Sequence, residues 1–121
     1  MPLGGSVPMR EARLKTRILV QAAVRRCTQQ AIPIAIARRG DDEAGAILIK
    51  LNRRDGGFTV LAQTRGPSGE LGWFRGTGDA PVDEAAADTY IARQVARDPD
   101  LWVVEIEDPE GRPIFAGKLL T

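Results

Sequence analysis

Apolar and polar positions first alternate with a helical period. Between residues 16 and 31, Val20, Ala23 and Cys27 recur at spacings of three and four, which predicts a helix with one apolar face. Pro33 follows the helix and ends it, because proline lacks the N–H that the next helical turn needs. Since Cys27 lies on the apolar face, we expect a buried, unreactive thiol.

Shorter runs with a period of two follow the helix and predict strands at residues 34–38, 46–52, 58–63 and 71–75. The second and third runs are joined by Arg-Asp-Gly-Gly at residues 54–57, whose glycines tolerate a turn with positive φ. These two runs therefore predict an antiparallel hairpin.

The last third of the chain returns to a helical period and then to a strand. Residues 81–97 predict a second helix, residues 101–107 predict a strand covered on both faces, and residues 114–115 predict a short edge strand. We therefore expect one α+β domain over residues 13–121, after a flexible leader at residues 1–12. Its sheet is predicted to be mainly antiparallel, with four to six strands and with two helices packed on one face.

Composition narrows the chemistry that this domain can perform. Among 121 residues there is no histidine and only one cysteine, which removes the usual bases and the usual transition-metal ligands. We therefore expect no catalytic site, no metal and no cofactor, although an enzyme that uses carboxylates or arginines stays open as a third hypothesis. No signal peptide and no long apolar run are visible, so we expect a cytoplasmic protein without a membrane partner.

Two segments resemble a known family. They are AGAILIKLNRRDGG at residues 44–57 and DPDLWVVEIED at residues 98–108, and an arginine pair at residues 25–26 accompanies them. With these segments, about residues 10–112 resemble a family of short alphaproteobacterial proteins known only as a domain of unknown function. The resemblance implies a bacterial cytoplasmic setting, and it brings no activity, substrate or catalytic residue.

Charge is unevenly distributed between the two halves of the chain. Residues 1–54 carry a net charge of +7 and residues 55–121 carry −6. We expect a non-enzymatic domain that binds another protein or a second copy of itself. The alternative is a nucleic-acid-binding module, because rows of arginine can follow a phosphate backbone. The candidate binding residues are arginines and one tryptophan that either contacts a partner or fills the core: Arg13, Arg17, Arg25, Arg38, Arg39, Arg53, Arg54 and Trp73.

Overall fold

Two α-helices and six β-strands make up the computed structural model, which describes residues 15–120. Their order along the chain is the predicted one, with the additional last strand. The leader predicted at residues 1–12 lies outside the described residues. The elements are α1 (Thr16–Gln29), β1 (Ile34–Arg38), β2 (Ile47–Asn52), β3 (Phe58–Arg65), β4 (Leu71–Arg75), α2 (Glu84–Arg97), β5 (Trp102–Glu107) and β6 (Lys118–Leu120).

The strands form one mixed sheet in the order β1-β5-β2-β3-β4-β6. The pairs β1–β5, β2–β3 and β3–β4 are antiparallel, so the predicted antiparallel character holds for three of the five pairings. The pairs β2–β5 and β4–β6 are parallel. The parallel pairing of β2 with β5 was not predicted, because β5 pairs with β2 rather than with β4, the strand that precedes it in the chain. The segment that contains β3, β4 and α2 forms the crossover between β2 and β5.

The two helices lie on opposite faces of the sheet, which corrects the prediction that both pack on one face. The apolar stripe of α1 packs with Ile47, Ile49 and Leu51 of β2. Ala87 of α2 packs with the cluster that contains Leu48, the residue between the first two. Because successive side chains of a strand point to opposite faces, the apolar run of β2 requires a cover on each side.

Local signals explain where the elements begin and end. The Asn52 side-chain oxygen accepts a hydrogen bond from the Arg54 N–H at 2.8 Å and helps to form the turn between β2 and β3. In this turn Arg54 adopts a φ of 57° and Gly57 a φ of 84°, a conformation that glycine adopts freely. The Asp83 carboxylate accepts from the Ala86 N–H at 2.8 Å and caps the start of α2.

The chain after β5 differs from the prediction. Ile114 and Phe115, predicted to form an edge strand, are 5% and 8% exposed and join the core on the α1 face instead. The last strand is β6, three residues further along the chain. We call residues 109–117 the C-terminal strap, because this segment crosses the α1 face of the sheet before β6 pairs with β4.

Candidate interaction surface

The strand β1 forms one edge of the sheet, and β6 forms the other. Among residues 15–120, β5 is the one strand that pairs with β1, and the three central residues of β1 are exposed, including Ile36, which is 47% exposed. The Pro33 carbonyl accepts a hydrogen bond from the Glu107 N–H at 3.0 Å, and Ala35 pairs with Glu105. By the alternation of an antiparallel ladder, the backbone polar groups of Ile34 and Ile36 therefore point away from β5.

The first three residues of this edge lack the features that protect natural sheet edges from pairing with other chains. Such edges commonly carry lysine, proline or a bulge within the strand. In β1 the first four residues are Ile-Ala-Ile-Ala, and the register shift falls after Ile36, at the end of the strand. A run of three residues with regular geometry, Ile34 to Ile36, is therefore open to an additional strand.

Opposite charges lie at the two ends of β1. A depression of about 220 Å³ on the α2 face is lined by the start of β1 and by Glu105 and Glu107 of β5. At the other end of β1, Arg38 donates from Nη2 to the Pro99 carbonyl at 2.7 Å. Arg39 next to it forms an ion pair with Asp42 at 2.9 Å. The edge thus carries two carboxylates where the strand begins, and the charge of Arg38 where it ends.

The predicted arginine surface does not come together as one patch. Arg53 and Arg54 lie beyond the C-terminal end of β2, whereas Arg38 and Arg39 lie near its N-terminal end. The six residues of β2 separate the two pairs by roughly 20 Å, at about 3.3 Å per residue. Arg53 donates to the Pro109 carbonyl at 3.2 Å, and Arg54 pairs with Glu107 at 2.7 Å. All four of these arginines contact acceptors within the chain.

The other predicted arginines belong to the N-terminal part of the chain. Arg17 and Arg25 lie on α1, where Arg25 is exposed and Arg17 is partly exposed. Arg13 lies outside the described residues. Within the described part of the chain, two of the predicted arginines therefore lie at the surface of α1.

Trp73 belongs to the core and not to a binding surface. It is 4% exposed, its ring packs on that of Phe115 at 5.5 Å between centroids, and its Nε1 donates to the Ala116 carbonyl at 2.9 Å. The exposed aromatic residue of β4 is its neighbour Phe74, at 43%. Sequence reasoning placed the two on opposite faces but had no signal for the C-terminal strap that covers Trp73.

The C-terminal strap is fastened by a carboxylate that sequence analysis did not single out. Asp108, 1% exposed, accepts hydrogen bonds from Arg112 Nε at 3.0 Å and from the Glu110 and Arg112 backbone N–H groups. The Arg112 guanidinium holds the pKa of Asp108 below its ordinary value, although burial opposes the shift. Arg26 adds a hydrogen bond of 2.6 Å from Nη1 to the Ile114 carbonyl.

An apolar cleft of about 360 Å³ lies between the C-terminal strap and the sheet. Its walls are mainly aliphatic and aromatic, and Arg112, already paired with Asp108, is the charged residue among them. Cys27 packs in the same apolar cluster, fully buried as predicted. Burial, with the nearby charge of Asp108, raises the pKa of its thiol, which keeps the thiol in its unreactive form.

A buried lysine on the opposite face is the second feature that sequence analysis missed. Lys50 of β2 is 6% exposed, and its Nζ lies 2.7 Å from Glu84 and 2.8 Å from Asp88 of α2. Burial lowers its pKa, but the hydrogen bonds with Asp88 and Glu84 outweigh burial and raise it above the ordinary value. A lysine held as ammonium is the reverse of what a lysine base or nucleophile requires.

The fold and its exposed edge define a small α+β domain with a mixed six-stranded sheet between two helices. None of the helices that the structure describes combines the length and the hydropathy needed to cross a bilayer. The family model described as "Protein of unknown function (DUF1491)" matches residues 14–116. The chain therefore belongs to this family, which confirms the resemblance seen in the sequence.

Solved structures agree with this assignment. The chain is similar to a DUF1491 family protein from Caulobacter crescentus CB15, known from a crystal structure at 1.87 Å, with 35% identity and a TM-score of 0.78 over 89% of this chain and 100% of that one. The NMR structure of a DUF1491 family protein from the same organism gives 34% identity and a TM-score of 0.77 over 89% and 97% of the chains. The solution structure of protein Atu0922 from A. tumefaciens gives 27% identity and a TM-score of 0.65 over 78% of this chain and 86% of that one. Comparison with curated proteins gives no match.

Proposed function

We propose that the protein is a non-enzymatic binding domain that receives an extended protein segment along β1. The observation that carries this proposal is the open edge between Ile34 and Ile36, whose outward backbone groups have no strand beside them in the described part of the chain. Strand addition satisfies such groups with a partner's backbone, and alternate side chains then supply specificity. Here those side chains are two isoleucines on the α1 face and Ala35 on the other.

The distribution of the arginines favours a protein partner over the nucleic-acid alternative. Arg38, Arg39, Arg53 and Arg54 all contact acceptors within the chain, at opposite ends of the sheet. A protein that follows a phosphate backbone needs several cations in a continuous row, since each neutralised phosphate adds to affinity. The nucleic-acid alternative stays a proposal that rests on α1 and on Arg13.

The chemistry of the buried ionisable groups supports binding rather than catalysis. Lys50 is held in its charged form by two carboxylates, and Asp108 is held in its charged form by Arg112. General acid–base catalysis near neutral pH works best with groups whose pKa values lie close to that pH. Both shifts move these groups further from neutrality, which suits a stabilising role.

Photo-crosslinking in the protein's own cells tests the proposal. A benzophenone amino acid replaces Ala37, which is exposed on β1, and in a matched protein it replaces Ala92, which is exposed on α2. We expect an adduct with a protein from position 37, no such adduct from position 92, and loss of the adduct when Ile36→Lys is added. Absence of an adduct at 37, or equal adducts at both positions, contradicts the proposal.

A further inference from the structure

We infer that the strand received by β1 is β1 of a second copy of this chain, joined about a two-fold axis that passes through Ala35. This inference rests on the proposed function and names its partner. In a symmetric antiparallel pair, each residue that faces outward from one strand must meet an outward-facing residue of the other. An axis at Ala35 meets this requirement, because it places Ile34 of each copy opposite Ile36 of the other.

The hydrogen-bonding pattern of β1 fits this register. Pro33 and Ala35 direct their backbone groups toward β5, so Ile34 and Ile36 each have an outward N–H and an outward C=O. Two copies then exchange four backbone hydrogen bonds between Ile34 and Ile36. The register shift between Ile36 and Arg38 lies just beyond this stretch and limits the pairing to it. The paired sheets would form one continuous sheet of twelve strands.

Side chains on both faces also suit a self-pairing. Ile34 and Ile36 pair with Ile106 and Val104, so they lie on the α1 face. In the dimer, these two isoleucines of each copy form one apolar cluster, which gives the 47% exposed Ile36 a cover. On the α2 face Ala35 meets Ala35 of the second copy, and a methyl group leaves room for the approach.

The charges at the two ends of β1 also suit a second copy of the same chain. Antiparallel pairing places the basic end of each strand beside the acidic start of the other. Arg38 of the second copy then lies about 10 Å, or two strand spacings, from β5, on the α2 face that carries Glu105 and Glu107. Long side chains that approach from both sides can bridge this separation. The contact occurs twice, because each copy supplies both charges.

The Arg38 guanidinium can make this contact without giving up its present hydrogen bond. Arg38 gives one hydrogen bond, to the Pro99 carbonyl, out of the five N–H donors that a guanidinium carries. The surface is therefore self-complementary in its hydrogen bonds, its apolar side chains and its charges, which is the requirement of a two-fold interface.

Light scattering on the purified full chain tests the inference. We expect a solution mass of twice the 13.1 kDa chain at high micromolar concentration. Ile36→Lys is expected to give the single-chain mass. Ile18→Lys, which changes another exposed isoleucine on α1 at 36% exposure, is expected to keep the doubled mass. A single-chain mass for the native protein, or the same mass for both variants, overturns the inference.

Charge exchange between two variants tests the register. An axis at Ala35 sets Arg38 of the second copy beside Pro33, the partner of Glu107. Arg38→Glu alone therefore places like charges at both contacts, and so does Glu107→Arg alone, so each variant is expected to be monomeric. When the two proteins are mixed, both contacts join opposite charges, and the doubled mass should return. Two monomeric variants that stay monomeric after mixing overturn the proposed register. Circular dichroism checks that each variant keeps the native fold.

Amide hydrogen exchange needs no substitution and gives a second measurement. We expect the N–H groups of Ile34 and Ile36 to exchange more slowly at high than at low protein concentration, whereas Ala35 shows no such dependence. Equal exchange at both concentrations overturns the inference. If the native chain is monomeric while position 37 crosslinks to a different protein, the inference fails and the proposed function holds. A monomer without any adduct contradicts both.

Discussion

The contact between Lys50 and α2 leads to a quantitative prediction about non-additivity. The perturbation is neutralisation of its two partners by Glu84→Gln and Asp88→Asn, singly and together. The lysine side chain is 8% exposed, whereas each carboxylate is 56% exposed. The carboxylates can therefore return to water when the contact is lost, but the ammonium cannot.

The expected magnitudes follow from this asymmetry. Each single substitution leaves one carboxylate beside Lys50 and removes one half-exposed ion pair, so we expect a loss of about 0.5–1 kcal/mol in the free energy of unfolding. The double substitution leaves a buried ammonium without a hydrogen-bonded carboxylate, since Glu105 of the paired strand acts on it only as a neighbouring charge, and we expect a loss of about 3 kcal/mol. The double variant should thus lose at least about 1 kcal/mol more than the two single variants combined.

Urea denaturation of the native protein, both single variants and the double variant measures these values at neutral pH. Adding Lys50→Met to the double variant removes the unpaired charge and is expected to recover most of the lost stability. Effects that add within about 0.5 kcal/mol would refute the reasoning, because independent sites behave in that way. No recovery with Lys50→Met would refute it as well.

The same contact has a predictable dependence on pH. Because the pKa of Lys50 is raised above its ordinary value of 10.5, its stabilising contribution is fully present below pH 10.5 and is lost as the pH rises through the folded-state value. The difference in unfolding free energy between the native protein and Lys50→Met should therefore shrink only in strongly alkaline solution. A difference that shrinks near neutral pH would contradict this.

Four other sites give further predictions. Asp108→Asn should lower the free energy of unfolding by about 2 kcal/mol at neutral pH, because a charge-assisted contact is lost. Since the pKa of the native carboxyl is lowered, the difference in unfolding free energy between the native protein and the variant should vanish as the pH falls below that pKa. Unfolding measured over an acid pH series checks this. Cys27 should react with a thiol reagent only at the rate of unfolding, and fast labelling in native buffer would contradict its burial. Gly40→Ala should lower the thermal midpoint, since a Cβ there would collide with backbone atoms of the loop before β5, whereas Gly56→Ala should change it little. Arg17→Glu combined with Arg25→Glu should leave retention on heparin unchanged, and salt-sensitive retention that this variant loses would favour the nucleic-acid alternative.

Most of the secondary structure was predicted from local signals in the sequence. The hairpin of β2 and β3 was predicted because alternation and turn chemistry agree over residues 46–63. The stripe of α1 was predicted because helical spacing alone identifies it, and Val20 and Cys27 are indeed buried. These features depend on residues that are neighbours in the chain.

The features that were missed depend on contacts between distant residues. The parallel pairing of β2 with β5 joins Ile47 to Trp102, and neither strand contains a signal for its partner. The burial of Trp73 depends on the C-terminal strap, which comes more than thirty residues later. The position of β1 at an edge could be recognised only once the strand order was known, because the sequence of β1 is as apolar as that of a central strand.

The position of β5 between β1 and β2 also decides when the protein can fold during synthesis. Until residue 107 has left the ribosome, β2 has β3 on one side and no strand on the other, and β1 has no strand with which to pair. Until then the strands made first form an incomplete sheet whose apolar faces are exposed to water. Chaperones bind such a state, and it is prone to aggregation. Nascent chains stalled before Trp102 should be degraded rapidly, and release of β5 should convert them to protease-resistant protein.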